Sequence, residues 1–126
     1  MNTREWTRFN YNNERILRDH PGLASFNGDI VVLGGTAATE NHEALDAIES
    51  FNMETNTWSI WPTKLNRARA GPAVIQVDQL LYVIGGRGQD VQGSVEVFDQ
   101  VSWTVRPDLT VNHPDQEYAV TLLKFI

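Results

Sequence analysis

The sequence predicts an all-β chain: about two four-stranded antiparallel units, with extra strands at both ends. Three observations predict it. Two stretches repeat in register, strand-length apolar runs alternate with turn residues, and no segment sustains a helical period. The repeat is plainest where Ile30-Val31-Val32-Leu33-Gly34-Gly35 aligns with Leu81-Tyr82-Val83-Ile84-Gly85-Gly86, 51 residues on. Ile48-Glu49-Ser50-Phe51-Asn52 then matches Val95-Glu96-Val97-Phe98-Asp99, and Trp58 matches Trp103. The offset shrinks to 45 because the loops after Gly35 and after Asn52 are longer in the first unit.

The elements follow in order. In the first unit, strands are expected over Gly22–Phe26, Asp29–Leu33, residues 47–51 and Thr57–Ile60. Asn27-Gly28 between the first two is a strong hairpin turn, because both residues tolerate positive φ. In the second unit, residues 71–77 are apolar and β-branched up to the turn at Asp78-Gln79. Leu80–Ile84 is the continuous apolar run of a strand buried on both faces. Val95–Phe98 is short and β-rich, and Trp103–Val105 alternates and stops before Pro107. Residues 12–19 and 40–46 have some helical character but are too short to stand alone, so loops are expected there. Trp6-Thr7-Arg8-Phe9 reads as the last strand of a preceding unit, and residues 118–125 as the first strand of a following one. The expected divisions are residues 1–21, 22–61, 62–106 and 107–126.

Composition narrows the function. The 126 residues are 41% hydrophobic and 21% charged, an ordinary globular balance. The net charge is −6, which disfavours nucleic acid, since phosphate binding needs a basic footprint. No stretch approaches the roughly 18 consecutive apolar residues of a membrane helix, so no membrane association is expected. No apolar run follows Met1-Asn2-Thr3-Arg4-Glu5, so no secretory leader is read. Zero cysteines exclude a disulfide framework, a thiolate nucleophile and a Cys-ligated zinc. They also accord with a reducing, cytoplasmic setting.

An apolar strand ending in Gly-Gly, then a variable loop, then Glu-x-Phe-Asn/Asp and Trp, resembles the kelch repeat. The resemblance covers residues 22–106 as two units. Leu65-Asn66-Arg67-Ala68-Arg69-Ala70-Gly71 and the following Gly-Gly strand look most like animal kelch-like proteins. It implies that each unit is one blade of a β-propeller, and that Gly34, Gly35, Gly85, Gly86, Glu49, Glu96, Phe51, Phe98, Trp58 and Trp103 are its structural repeat positions. Glycine at a strand end permits close backbone approach, and the aromatic rings suit the space between blades. Arg69 has either Glu49 or Glu96 as a candidate partner. Arg18-Asp19-His20-Pro21-Gly22 is only loosely similar to the Arg69-Ala70-Gly71 lead of the second unit. Closed propellers have about 4–8 blades, so the chain reads as part of one.

The resemblance also implies partner binding through loops on one propeller face. Those loops are residues 36–45 and 87–93, after each Gly-Gly pair, and residues 66–69 and 112–116, between blades. Arg87, Gln89, Asp90, Gln92, His42, Glu43, Arg67 and Arg69 are the candidate contact residues, with Arg87 suited to an acidic residue of a peptide. His42 stands near Glu40, Glu43 and Asp46, but the spacing fits no known metal site, and no cofactor is expected. His20 and His113, each before a proline, read as turn residues ahead of a first strand. No nucleophile elbow or Walker loop is present, and Gly85-Gly86-Arg87-Gly88 is not visibly followed by a helix. The copper oxidase type of kelch enzyme needs a Cys–Tyr crosslink that this chain cannot form.

The expected function is therefore non-catalytic binding of a protein or peptide, as in the substrate-recognition part of a cullin ubiquitin-ligase adaptor. Other kelch-like proteins bind actin. The alternatives are a kelch-type enzyme or small-molecule binder using the propeller channel, or a truncated product without independent function. Open blade faces also predict self-association.

Overall fold

The computed structural model describes residues 16–109. The strands expected at residues 6–9 and 118–125 lie outside them, as do His113 and residues 112–116. Ten strands and one short 3-10 turn, Pro107–Leu109, make up the regular structure of the described residues.

The elements are β1 (Arg18–Asp19), β2 (Gly22–Phe26), β3 (Asp29–Leu33), β4 (Thr36–Ala37), β5 (Ile48–Asn52), β6 (Thr57–Ile60), β7 (Ala73–Val77), β8 (Leu80–Ile84), β9 (Val95–Phe98) and β10 (Trp103–Val105). Two four-stranded antiparallel sheets result, β2-β3-β5-β6 and β7-β8-β9-β10. Each is a meander in which sequence neighbours pair. The small β1-β4 pair, Arg18 with Ala37 and Asp19 with Thr36, was not anticipated. Sheet boundaries shift slightly from expectation. The seventh strand begins at Ala73 because Gly71 has φ of 64° and Pro72 has no N–H to give. The fifth runs one residue later than expected, over Ile48–Asn52.

Strand parity decides what each blade shows its neighbour. Phe26, Val31, Leu33 and Ile48 of blade one meet Leu81, Val83, Phe98 and Trp103 of blade two in one core, sealed by Leu65 of the linker. Tyr82, Ile84, Val95 and Val97 lie on the far side of blade two, with Leu109 against them. On the far side of blade one, Leu23, Ile30 and Ile60 are exposed beside buried Phe51. Thus Phe98 and Trp103 fill the space between the two blades, while Phe51 and Trp58, 5.1 Å apart, occupy the corresponding place on blade one's other face.

The frame of each blade is a buried arginine. Arg69 Nη1 donates to the carbonyls of Gly85 (2.9 Å) and Ser94 (3.0 Å), and Nη2 to Glu96 (2.9 Å). Arg18 repeats this on Gly34 (2.7 Å), Ala47 (2.8 Å) and Glu49 (2.7 Å). The open choice for Arg69 resolves to Glu96, the glutamate of its own blade. The loose lead of the first unit is in fact a full counterpart. His20 takes φ of 52° where Gly71 takes 64°, and a proline follows each. The glutamates also hold the chain entering each blade: Glu96 accepts the amides of Asn66 (2.6 Å) and Arg67 (3.1 Å), and Glu49 accepts that of Ile16 (3.2 Å).

Gly34 shows how closely the inter-blade linker docks. Its φ is 62°, and a Cβ there would overlap the carbonyl oxygen of Arg69, while Gly35 N–H donates to that same oxygen at 2.8 Å. Gly34→Ala is therefore expected to destabilise by about 1–3 kcal/mol through overpacking against backbone. Gly28→Ala, with a φ of 85° and open space around it, should cost less. Urea unfolding followed by circular dichroism checks the order.

Candidate functional site

The strands end in two groups of connections. The hairpins 27–28, 53–56, 78–79 and 99–102 lie at one end, the Gly-Gly loops and the linker between blades at the other. At the Gly-Gly end the loops brace one another. Ala70 and Arg87 exchange backbone hydrogen bonds of 2.8 Å each, and Gly71 N–H donates to the His20 carbonyl at 2.8 Å. In the first loop Ala37 N–H donates to Glu43 O, and His42 N–H to Thr39 O. The guanidinium of Arg67 reaches across from the linker to the Asp90 carbonyl at 2.6 Å.

These loops bound a trough of three adjoining cavities. The middle one, about 430 Å³, is lined by His20, Thr36, His42, Ala44, Ala70, Arg87 and Gly88. Beside it, about 680 Å³ lies between Glu43, Asn66, Arg67, Gln89 and Asp90, and about 510 Å³ between Arg87, Asp90, Val91 and Gln92. The volumes are in the range of ligand and peptide pockets. Three non-glycine residues here, His20, His42 and Asp90, hold positive φ of 52°, 47° and 58°. Side chains rarely adopt that conformation, and it persists where surrounding contacts impose it.

The sequence-selected residues are placed as follows. Arg87, Gln89, Asp90, Gln92, His42 and Glu43 are exposed around the trough, and Arg67 is half-buried on its wall. Arg69 is the exception. It is fully buried in the blade frame, its pKa lowered by desolvation against the opposing pull of Glu96, so it presents nothing to a partner. His20 was read as a turn residue. It is one, yet its ring also lines the middle cavity. No catalytic residues were selected. Among the described residues no group of three or more histidines or carboxylates gathers as metal ligands. Nor is any helix among them long and apolar enough to cross a membrane.

The arrangement can accept an anion. The Arg87 guanidinium has no hydrogen-bond or ionic partner among the described residues, and the middle cavity has no carboxylate on its lining. The imidazoles of His20 and His42 supply further hydrogen-bonding groups, while the Thr36 hydroxyl donates to the Asp19 carbonyl at 3.3 Å. Glu43 and Asp90 bring carboxylates to the neighbouring parts of the trough.

Comparison with known proteins agrees with the two-blade architecture. Residues 17–64 and 68–110 each match the family described as Kelch motif. A Kelch domain-containing protein 10 of Xenopus tropicalis is 30% identical over 125 residues, 86% of this chain and 29% of its own. Its Homo sapiens counterpart is 28% identical over 109 residues, 75% of this chain and 24% of its own. F-box/kelch-repeat protein At5g39560 of Arabidopsis thaliana is 30% identical over 95 residues, 73% of this chain and 22% of its own. The chain thus spans under a third of the curated relatives it matches. The solved structure of YjhT aligns with a TM-score of 0.61 at 17% identity, over 69% of this chain and 37% of that one, a likeness of fold. Family matches and blades coincide along the described residues, and the chain belongs to the kelch-motif family, its two sheets being blades of a β-propeller.

Proposed function

We propose that this chain is a protein-binding segment of a kelch propeller, and that the trough at its Gly-Gly end seats an acidic stretch of a partner. The observation that carries this reading is Arg87. Among the described residues it has no hydrogen-bond or ionic partner where the middle and outer cavities meet, beside the imidazoles of His20 and His42 in the middle cavity. A guanidinium there can take a carboxylate in a bidentate, charge-assisted pair. Kelch repeats commonly serve as protein-interaction modules, which supports the reading. The F-box/kelch-repeat relative supports a narrower one, in which the chain supplies substrate recognition to a ubiquitin-ligase adaptor. The cysteine-free sequence fits action in the cytoplasm.

The test is a glutamate-rich peptide titrated against the chain by calorimetry. Arg87→Glu is expected to weaken binding at least about tenfold, since truncating or reversing one partner of such a pair costs about 2 kcal/mol or more. Raising salt should weaken the parent in the same direction. Binding unchanged in Arg87→Glu overturns the assignment. The exposed Leu23, Ile30 and Ile60 face of blade one supports self-association as a second property of the chain. Sedimentation at several concentrations checks it.

A further inference from the structure

The opposite end of the two blades carries a groove of different chemistry. About 400 Å³ opens between the 27–28 hairpin, the 99–102 turn and the first residues of the linker, lined by Phe26, Trp61, Phe98, Val101 and Pro62, with Asn27, Asp29, Thr63 and Gln100 around them. Its floor is a run of aromatic rings. Trp61 stands 6.3 Å from Phe26 and 5.2 Å from Phe98 between centroids, and Phe26 meets Phe98 edge-on at 6.1 Å. Phe26 and Phe98 are buried, and Val101 on the rim is 78% exposed. An apolar floor inside a polar rim is the anatomy of a binding hot spot.

Two side-chain hydrogen bonds brace the walls. The Asn27 carboxamide donates to Gln100 Oε1 at 2.9 Å, joining the first hairpin of blade one to the last turn of blade two. Gln100 Nε2 donates to the Gln79 carbonyl at 3.0 Å. Gln100 itself sits at φ of 83°, a conformation uncommon for a glutamine and kept here by these contacts. Bracing of this kind lowers the ordering cost of binding.

Charge decides what would enter. Each of the four hairpin connections carries or borders one carboxylate: Asp29, Glu54, Asp78 and Asp99. None of these turns holds a lysine or arginine. Asp29 lines the groove directly. Asp99 stays ionised to lower pH than an ordinary aspartate because the backbone amides of Ser102 and Val101 donate to it. Lys64 follows the lining residue Thr63 but does not itself line the groove.

We propose that this groove is a second docking site, seating an apolar side chain of a partner protein segment that carries lysine or arginine beside it. The aromatic floor takes the apolar side chain, and the acidic hairpins take the flanking cation. This surface is separate from the acid-accepting trough, so one segment of propeller would engage partners of opposite charge at its two ends.

The experiment uses the full 126-residue chain, isotopically labelled, and three synthetic peptides. One has a central leucine between arginines, one replaces the arginines by glutamates, and one replaces the leucine by glycine. Amide and indole NMR shifts are followed at Asn27, Trp61, Gln100 and Val101. The arginine–leucine peptide is expected to shift these signals with a dissociation constant below about 1 mM. The other two should bind at least about tenfold more weakly. Val101→Glu, at an exposed position that leaves the core intact, should weaken the first peptide about tenfold. Asp29→Asn should weaken it about threefold and flatten its salt dependence. The proposal is overturned if the first peptide leaves these signals unmoved, or if the glutamate peptide binds as well. It is equally overturned if either variant folds and binds unchanged. Sedimentation showing a dimer that Val101→Glu dissolves would assign the groove to a second copy of the chain instead.

Discussion

Glu96→Ala is expected to lower the unfolding free energy by about 3–5 kcal/mol, the cost of stranding a buried charge. Small domains hold only about 5–15 kcal/mol, so a large share of the chain's stability should be lost. Arg69 is fully buried and would keep its hydrogen bonds to Gly85 O, Ser94 O and Ser94 Oγ, but would lose its counter-charge. Two linker amides, those of Asn66 and Arg67, would lose their acceptor as well. Glu96→Gln should be milder, because one oxygen remains for the linker, though its NH₂ group faces donors. A paired substitution of Arg69 and Glu96 by apolar residues, often harmless for an isolated buried pair, should still destabilise here. The carbonyls of Gly85 and Ser94 lose a donor, and the Asn66 and Arg67 amides lose an acceptor. Urea titration of the parent and the three variants by circular dichroism checks the order. Equal stability of Glu96→Ala and the parent would refute it.

Phe98→Ala is expected to cost about 3–5 kcal/mol, through lost burial and the cavity left behind. Phe98 is 8% exposed and lies within 5.1 to 6.1 Å of three rings: Trp103 of its own blade, Phe26 of blade one and Trp61 of the linker. Its loss therefore acts on the seam between blades rather than on one sheet. A double-mutant cycle with Phe26→Ala should give a coupling energy of about 0.5–1.5 kcal/mol, the value of an aromatic pair beyond its area. Additive effects would mean that the two blades are not joined through this pair. Near-ultraviolet circular dichroism, which senses the tryptophans, should unfold together with the far-ultraviolet signal.

Much of this was readable from the chain. Of the eight strands expected among the described residues, six have the expected bounds, because period-two patterning and turn residues are local signals. The equivalence of the Gly-Gly strands and of Phe98 with Phe51 was also visible, since a repeat compares the chain with itself. Two features escaped. The lead around Arg18 looks only loosely similar because it has His20 where the second unit has Gly71. The backbone adopts positive φ at both residues, so the equivalence lies in geometry, not in residue type. Trp61 was missed because it has no aromatic counterpart in the second unit, where Arg106 follows the last strand. A residue used once gives no repeat signal, and the second docking groove rests on it. The trough followed from loop placement, yet Arg69 was misplaced: a sequence does not say which of two nearby arginines turns inward.

The position of the Arg–Glu frames has a consequence for assembly. Each lies on the same side of its blade: Glu96 is paired with Val83 and faces blade one, and Glu49, paired with Val32, faces away from blade two. Every blade therefore has a front and a back that differ in chemistry, and the seam joins the front of one to the back of the other. Such head-to-tail contacts carry a direction. Repeated with the same rotation they close into a ring or wind into a spiral, whereas a twofold-symmetric pair must put like sides together. Self-association through the exposed side of blade one would then run head-to-tail, against the far side of blade two in another copy, and would not place Arg18–Glu49 against its own image as a twofold pair does.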